Sequence, residues 1–167
     1  MRVIGCTRTP GPADGLADEM HDLSALPAVL ESADFILLGL PLAAETRNLI
    51  DAAALARMKP DAVIINVARG ALIDEIALFE ALRSKRIGGA ILDTWWQYPE
   101  QGQETGACSN LPFHELDNSI LTPHASGWTD GLLPRRCGVI ADNINRIGRG
   151  ETPINIVRKP LAALTLI

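Results

Sequence analysis

Three short runs constrain this chain most: "DFILLGL" (34–40), "DAVIINV" (61–67) and "IGGAILD" (87–93). Each is almost continuously apolar rather than alternating, the pattern of strands covered on both faces inside a parallel sheet. Helical patterns lie between them. "TRNLIDAAALARM" and "DEIALFEALRS" carry apolar residues at helical spacing. In the second, Asp74 suits the N-cap, and Leu78, Ala81 and Leu82 share one face. Strands alternating with helices require right-handed crossovers, so the expected fold is α/β, a parallel sheet flanked by helices.

The remaining segments fit that plan. "RVIGC" predicts a first strand that leads into the Pro- and Gly-rich "TRTPGPADG". "SALPAVLES" predicts a short helix with Ser24 as N-cap, and "SILT" a last short strand. "LPRRCGVIADNINRIGRG" predicts a closing helix, with Leu133, Cys137, Ile140, Ile144 and Ile147 at helical spacing. The stretch from Trp95 to Asn118 is a long irregular excursion, and loops of that length are usually functional or lie at an interface.

Composition narrows the function classes. At 167 residues the chain suffices for one sizeable core. A net charge of −5 argues against a nucleic-acid or anionic-membrane surface. Cys6, Cys108 and Cys137 form no Cys-x-x-Cys pair or Cys/His metal spacing, so no metal is expected. Free thiols suit a reducing, cytoplasmic setting.

Open parallel sheets bind ligands beyond the carboxyl ends of their strands. Read there, the first run delivers Thr7, Arg8 and Thr9, and the second Pro41. The third delivers Arg69 followed by Gly70, the fourth Asp93, and the last His124. A single loop Arg or His is ordinarily only solvated. Five consecutive strands supplying such residues to one edge point to a ligand site.

Together, "SADFILLGLPLAAETRNLID", "ARMKPDAVIINVARGALIDEIALFEALRSKRIGGAILD" and "NSILTPHASG" resemble the C-terminal signature segments of the D-isomer-specific 2-hydroxyacid dehydrogenases. The resemblance covers nearly the whole chain. It implies hydride transfer between a nicotinamide cofactor and a small 2-oxo or 2-hydroxy acid. By that resemblance, Arg69 binds the substrate carboxylate and polarises its carbonyl. His124 is the general acid–base, and Asp93 contacts the nicotinamide carboxamide, although Asp93 could merely cap the following loop. Leu40, Pro41, Val67 and Ala68 match backbone that lines the cofactor, and Ser126 and Gly127 match the turn beside it. Homodimerisation through this domain is also implied.

Three departures from the family pattern matter. No G-x-G-x-x-G occurs anywhere, although that turn should cradle the pyrophosphate after the first strand. The chain therefore resembles the C-terminal portion of a longer enzyme. Residues 1–150 would form a partial dinucleotide-binding domain, an incomplete Rossmann-type parallel sheet flanked by helices that lacks its first strand and glycine turn. Residues 151–167 would return toward an absent substrate domain. The chain alone is expected to bind dinucleotide weakly and to be inactive. Second, "CTRT" stands where an acidic ribose-binding residue is expected. Arg8, with Thr7 and Thr9, suits a 2′-phosphate, so NADP is favoured over NAD. Third, the position before Pro99, where the family usually has the Glu that bonds the catalytic His, is Tyr98. A phenol supplies no negative charge, and Glu100 would replace it only in a shifted loop. These departures keep a second reading open, a non-catalytic binding or dimerisation module. Of the nearby indoles, Trp95 is expected to pack, and Trp96 to face a partner or the active-site mouth.

Overall fold

A computed structural model of the chain describes residues 1–13, 15–99 and 106–157. It forms two compact units, Met1–Ser126 and Gly127–Ile167. In the first unit β1 (Ile4–Thr7) and β2 (Glu19–Asp22) pair in parallel. A separate parallel sheet has the order β3 (Phe35–Leu38), β4 (Val63–Asn66), β5 (Gly89–Leu92) and β6 (Ser119–Leu121). Helices α1 (Leu26–Ser32), α2 (Ala52–Arg57) and α3 (Glu75–Arg83) connect the strands. The fold is the expected Rossmann-type α/β arrangement.

Local chemistry sets the helix starts. Asp51 and Asp74 are N-caps whose carboxylates accept from the Ala54 and Ala77 amides at 2.8 and 2.9 Å. Ser24 is not the cap expected of it. Asp22 caps a 3₁₀ turn over Leu23–Ala25 by accepting from the Ser24 amide, and α1 follows with Pro27 in its first turn. Strand β2 was not legible because "EMHD" is short and polar; it forms by pairing with β1.

The core lies between the four-stranded sheet and α1–α3. Ile64, Leu72, Leu78, Leu82 and Leu92 are wholly buried in it. Isolated parallel pairing of Ile50 with Ile73, both wholly buried, ties the segment before α2 to the one before α3.

Strand β3 departs from the expectation of burial on both faces. Ile36 and Leu38 are buried, whereas Phe35 and Leu37 are 65% and 66% exposed. Among the described residues, β1 pairs only with β2 and β3 only with β4. A cavity of about 930 Å³ is lined by residues of β1, by Phe35 and Leu37, and by the Gly39–Pro41 turn.

The second unit holds α4 (Leu132–Gly148). Leu133, Cys137, Ile140, Ile144 and Ile147, expected to close the domain, are all exposed there. Of the expected segment 151–167, residues 158–167 lie outside the described residues. No described helix is long and apolar enough to cross a membrane.

Candidate active site

Strand register builds the site. Asn66 is level with Leu92, and Leu92 with Leu121, at the carboxyl ends of β4, β5 and β6. Asp93 follows Leu92 directly, and Arg69 and His124 lie three residues beyond Asn66 and Leu121, so the sheet delivers all three to one edge.

Asp93 organises that edge. It is 2% exposed, and four donor groups converge on its two oxygens. Oδ1 accepts from Thr122 Oγ1 at 2.6 Å and the Ala125 and Ser126 amides at 2.9 and 3.1 Å. Oδ2 accepts from Ser126 Oγ at 2.5 Å and from the same Ser126 amide at 3.2 Å. Burial alone would push this carboxyl up. The hydrogen bonds from Ser126, Thr122 and the Ala125 amide outweigh it and hold the pKa down to about 2. Asp93 thus clamps the turn that carries His124. With about four lone-pair sites already engaged, a carboxamide would have to displace one of these donors.

The clamp spans a strained point. His124 has a φ of 57°, in the left-handed region that non-glycine residues seldom occupy. Asp93 holds the next two amides, which keeps the backbone in that conformation and fixes the origin of the imidazole. The ring is exposed, and its Nδ1 lies 3.0 Å from the Tyr98 hydroxyl. Tyr98 therefore occupies the hydrogen-bonding place expected of a carboxylate, without the charge. Glu100 lies outside the described residues.

Arg69 sits on a turn shaped by buried Asn66, whose side chain donates to the Arg69 carbonyl at 2.8 Å and accepts from the Ala68 amide at 3.1 Å. The guanidinium is exposed and spends one N–H on the Ala68 carbonyl at 2.6 Å. Most of its fork remains available to a carboxylate. Gly70 brings this turn against the neighbouring loop. A Cβ there would lie 2.3 Å from the Trp95 carbonyl, so only glycine permits the approach.

The indoles lock the same loop from both sides. Trp95 Nε1 donates to the Thr122 carbonyl at 2.9 Å, and Trp96 Nε1 to the Ile73 carbonyl at 2.8 Å. Trp96 also stacks on Phe113 with centroids 5.3 Å apart and packs against the core. Trp96 is therefore half-buried packing rather than the open partner surface expected of it, because its N–H finds a carbonyl inside.

The other expected residues are dispersed along the edge. Leu40 is half-buried against the core, and the exposed Pro41 offers its carbonyl to Thr46. Val67 is exposed and Ala68 half-buried beyond β4. Arg8 is exposed beyond β1 and meets Glu45 at 3.3 Å. The Thr7 hydroxyl accepts from the Thr9 amide. Ser126 belongs to the Asp93 clamp. Gly127 opens the second unit and is exposed. Asn66 and Thr122 were missed, since only strand pairing shows what their side chains reach.

A dinucleotide fits part of this edge. The large cavity is lined by Thr7, Arg8, Gly39, Leu40 and Pro41, an apolar wall with a cation at its mouth. What the sequence lacks is a glycine-rich turn to hold a pyrophosphate by its amides.

Comparison with known proteins agrees. The family model described as "D-isomer specific 2-hydroxyacid dehydrogenase, NAD binding domain" matches residues 1–126. The chain is 37% identical over 145 residues to a D-3-phosphoglycerate dehydrogenase of Methanocaldococcus jannaschii, covering 87% of this chain and 25% of that one. A D-isomer specific 2-hydroxyacid dehydrogenase of Xanthobacter autotrophicus, solved with NADPH, is 36% identical with a TM-score of 0.72 over 93% of this chain and 60% of that one. A D-lactate dehydrogenase of Lactobacillus jensenii, solved with NAD+, is 28% identical with a TM-score of 0.75 over 95% and 48%. The chain thus spans less than two thirds of each of these proteins. It belongs to the D-isomer specific 2-hydroxyacid dehydrogenase family and carries that family's NAD(P)-binding domain.

Proposed function

We propose that this chain is the cofactor-side portion of an enzyme that interconverts a small 2-oxo acid and its 2-hydroxy acid. The observation that carries the reading is His124, held in a strained conformation by the Asp93 clamp, at the edge that also presents Arg69. Arg69 takes the substrate carboxylate through its free N–H groups and draws electron density from the adjacent carbonyl. His124 exchanges a proton with the C2 oxygen, and the Tyr98 hydrogen bond sets the ring's orientation. The nicotinamide, when bound, supplies or receives the hydride at C2.

Arg8 supports a preference for NADP, because an exposed guanidinium flanked by Thr7 and Thr9 can pair with a 2′-phosphate after leaving Glu45. The chain alone binds dinucleotide weakly and does not turn over. The exposed apolar face of α4 (Leu133, Ile140, Ile144 and Ile147) supports a homodimer. The same face favours the second reading, a dimerisation module without catalysis. Three free cysteines suit the cytoplasm.

A chimera supplying the substrate domain, first strand, glycine turn and helix from a relative tests the enzymatic reading. It should reduce a 2-oxo acid, and His124→Ala or Arg69→Ala should lower kcat/KM by roughly 10²-fold or more. Arg8→Ala should narrow its preference for NADPH over NADH. Turnover indifferent to His124→Ala would overturn the assignment of His124, and a folded chimera without turnover would leave the dimerisation module.

A further inference from the structure

Tyr98 stands between a backbone donor and the His124 ring. The Tyr98 oxygen lies 3.1 Å from the Trp95 backbone nitrogen and 3.0 Å from His124 Nδ1. A backbone N–H can only donate, so the phenol oxygen is the acceptor in the first bond. The phenol carries one proton, and its remaining polar neighbour among the described residues is Nδ1. Directed there, that proton requires Nδ1 to be an unprotonated acceptor. We infer that the relay from the Trp95 amide through Tyr98 selects the neutral His124 tautomer that carries its proton on Nε2.

Two further observations support this assignment. The relay is rigid, because the Trp95 indole is anchored to the Thr122 carbonyl, two residues before His124, and the Asp93 clamp holds the other side of the turn. His124 Nε2 has no protein partner among the described residues, so the selected proton points to a nitrogen left available.

The consequence is a preference for binding the 2-oxo acid over the 2-hydroxy acid, and this part rests on His124 being the group that meets the substrate. A ring with Nε2–H offers a donor to the C2 oxygen of a 2-oxo acid. It offers no lone pair to the hydroxyl proton of a 2-hydroxy acid until the proton moves to Nδ1 and the phenol turns away. A carboxylate in place of Tyr98 has no proton to give and selects the opposite tautomer, with Nδ1–H. Tyr98 is therefore a positioning residue that acts through His124 and tilts the site toward the oxo acid.

Long-range ¹H–¹⁵N correlation spectra of the histidine-labelled chain at mildly alkaline pH test the tautomer without cofactor or substrate. The chain has three histidines, so His21→Gln and His114→Gln assign the signals. A short unstructured histidine peptide provides the reference, because His114 Nε2 lies 4.0 Å from a Glu115 carboxylate oxygen that itself favours Nε2–H. His124 should show a larger Nε2–H population than that peptide. Tyr98→Phe should bring it back to that of the peptide, and Tyr98→Glu should shift it to Nδ1–H. A His124 population no different from that of the peptide, or one unmoved by Tyr98→Phe, would overturn the relay. If the tautomer is as inferred yet the chimera binds the hydroxy acid as tightly as the oxo acid, the binding preference is overturned while the tautomer stands.

Discussion

Asp93 carries more of the site than any other single residue. Its carboxyl is held at about 2, below the ordinary value of 3.8, so its stabilisation is fully present above about pH 4 and is lost as pH falls through 2. The difference corresponds to about 2 kcal/mol. Thermal unfolding followed from pH 7 to 2 should show a Tm step between 4 and 2 that Asp93→Asn removes. The asparagine should itself cost about 2–3 kcal/mol at neutral pH, because its amide places donors against donors from Ser126 and Thr122. Gly70 is the second critical residue. Gly70→Ala should cost at least about 2 kcal/mol and disturb the tryptophan near-ultraviolet dichroism, since its Cβ would overlap the Trp95 backbone. At this scale the sequence displayed Arg69, Asp93 and His124 because each follows an apolar strand. The four donors around Asp93 stayed hidden, since all of them lie some 30 residues away on the segment after β6, which arrives only when β6 pairs with β5.

Among the elements, the apolar runs predicted β3, β4 and β5, and Asp74 predicted the start of α3. Two elements behaved differently. Strand β3 is apolar on both faces, yet only the face bearing Ile36 and Leu38 is covered. Composition shows what an element can bury, and the neighbours decide what it does bury. Leu37→Ser should therefore change stability by less than about 0.5 kcal/mol. Ile36→Ala should cost about 2–5 kcal/mol in urea unfolding. Equal effects would place β3 in a different environment. Helix α4 poses the same question, with an apolar stripe fully legible in the sequence and fully exposed in its unit. If that stripe forms a homodimer, Ile140→Glu combined with Ile144→Glu should convert dimer to monomer in light scattering. A chain that is monomeric before substitution would refute the dimer.

For the molecule as a whole, the sheet is in two parts. Among the described residues, β1–β2 and β3–β6 form separate hydrogen-bonded sheets, and a large cavity is lined by residues of both. The α/β class with a parallel sheet followed from alternation of apolar runs and helices, and the Rossmann type from the family resemblance. The separation into two sheets did not, because periodicity records the character of strands and not their partners. Under the proposed function, Arg69 and His124 at the edge of the sheet meet the substrate, while the sequence holds no glycine-rich turn to supply amides for a pyrophosphate. The central claim is that this chain holds the chemical groups of a dehydrogenase without the means to grip its dinucleotide. Calorimetric titration of NADPH into the chain tests it most directly. The account predicts no saturable binding in the micromolar range, and a micromolar Kd for the chain alone would contradict it.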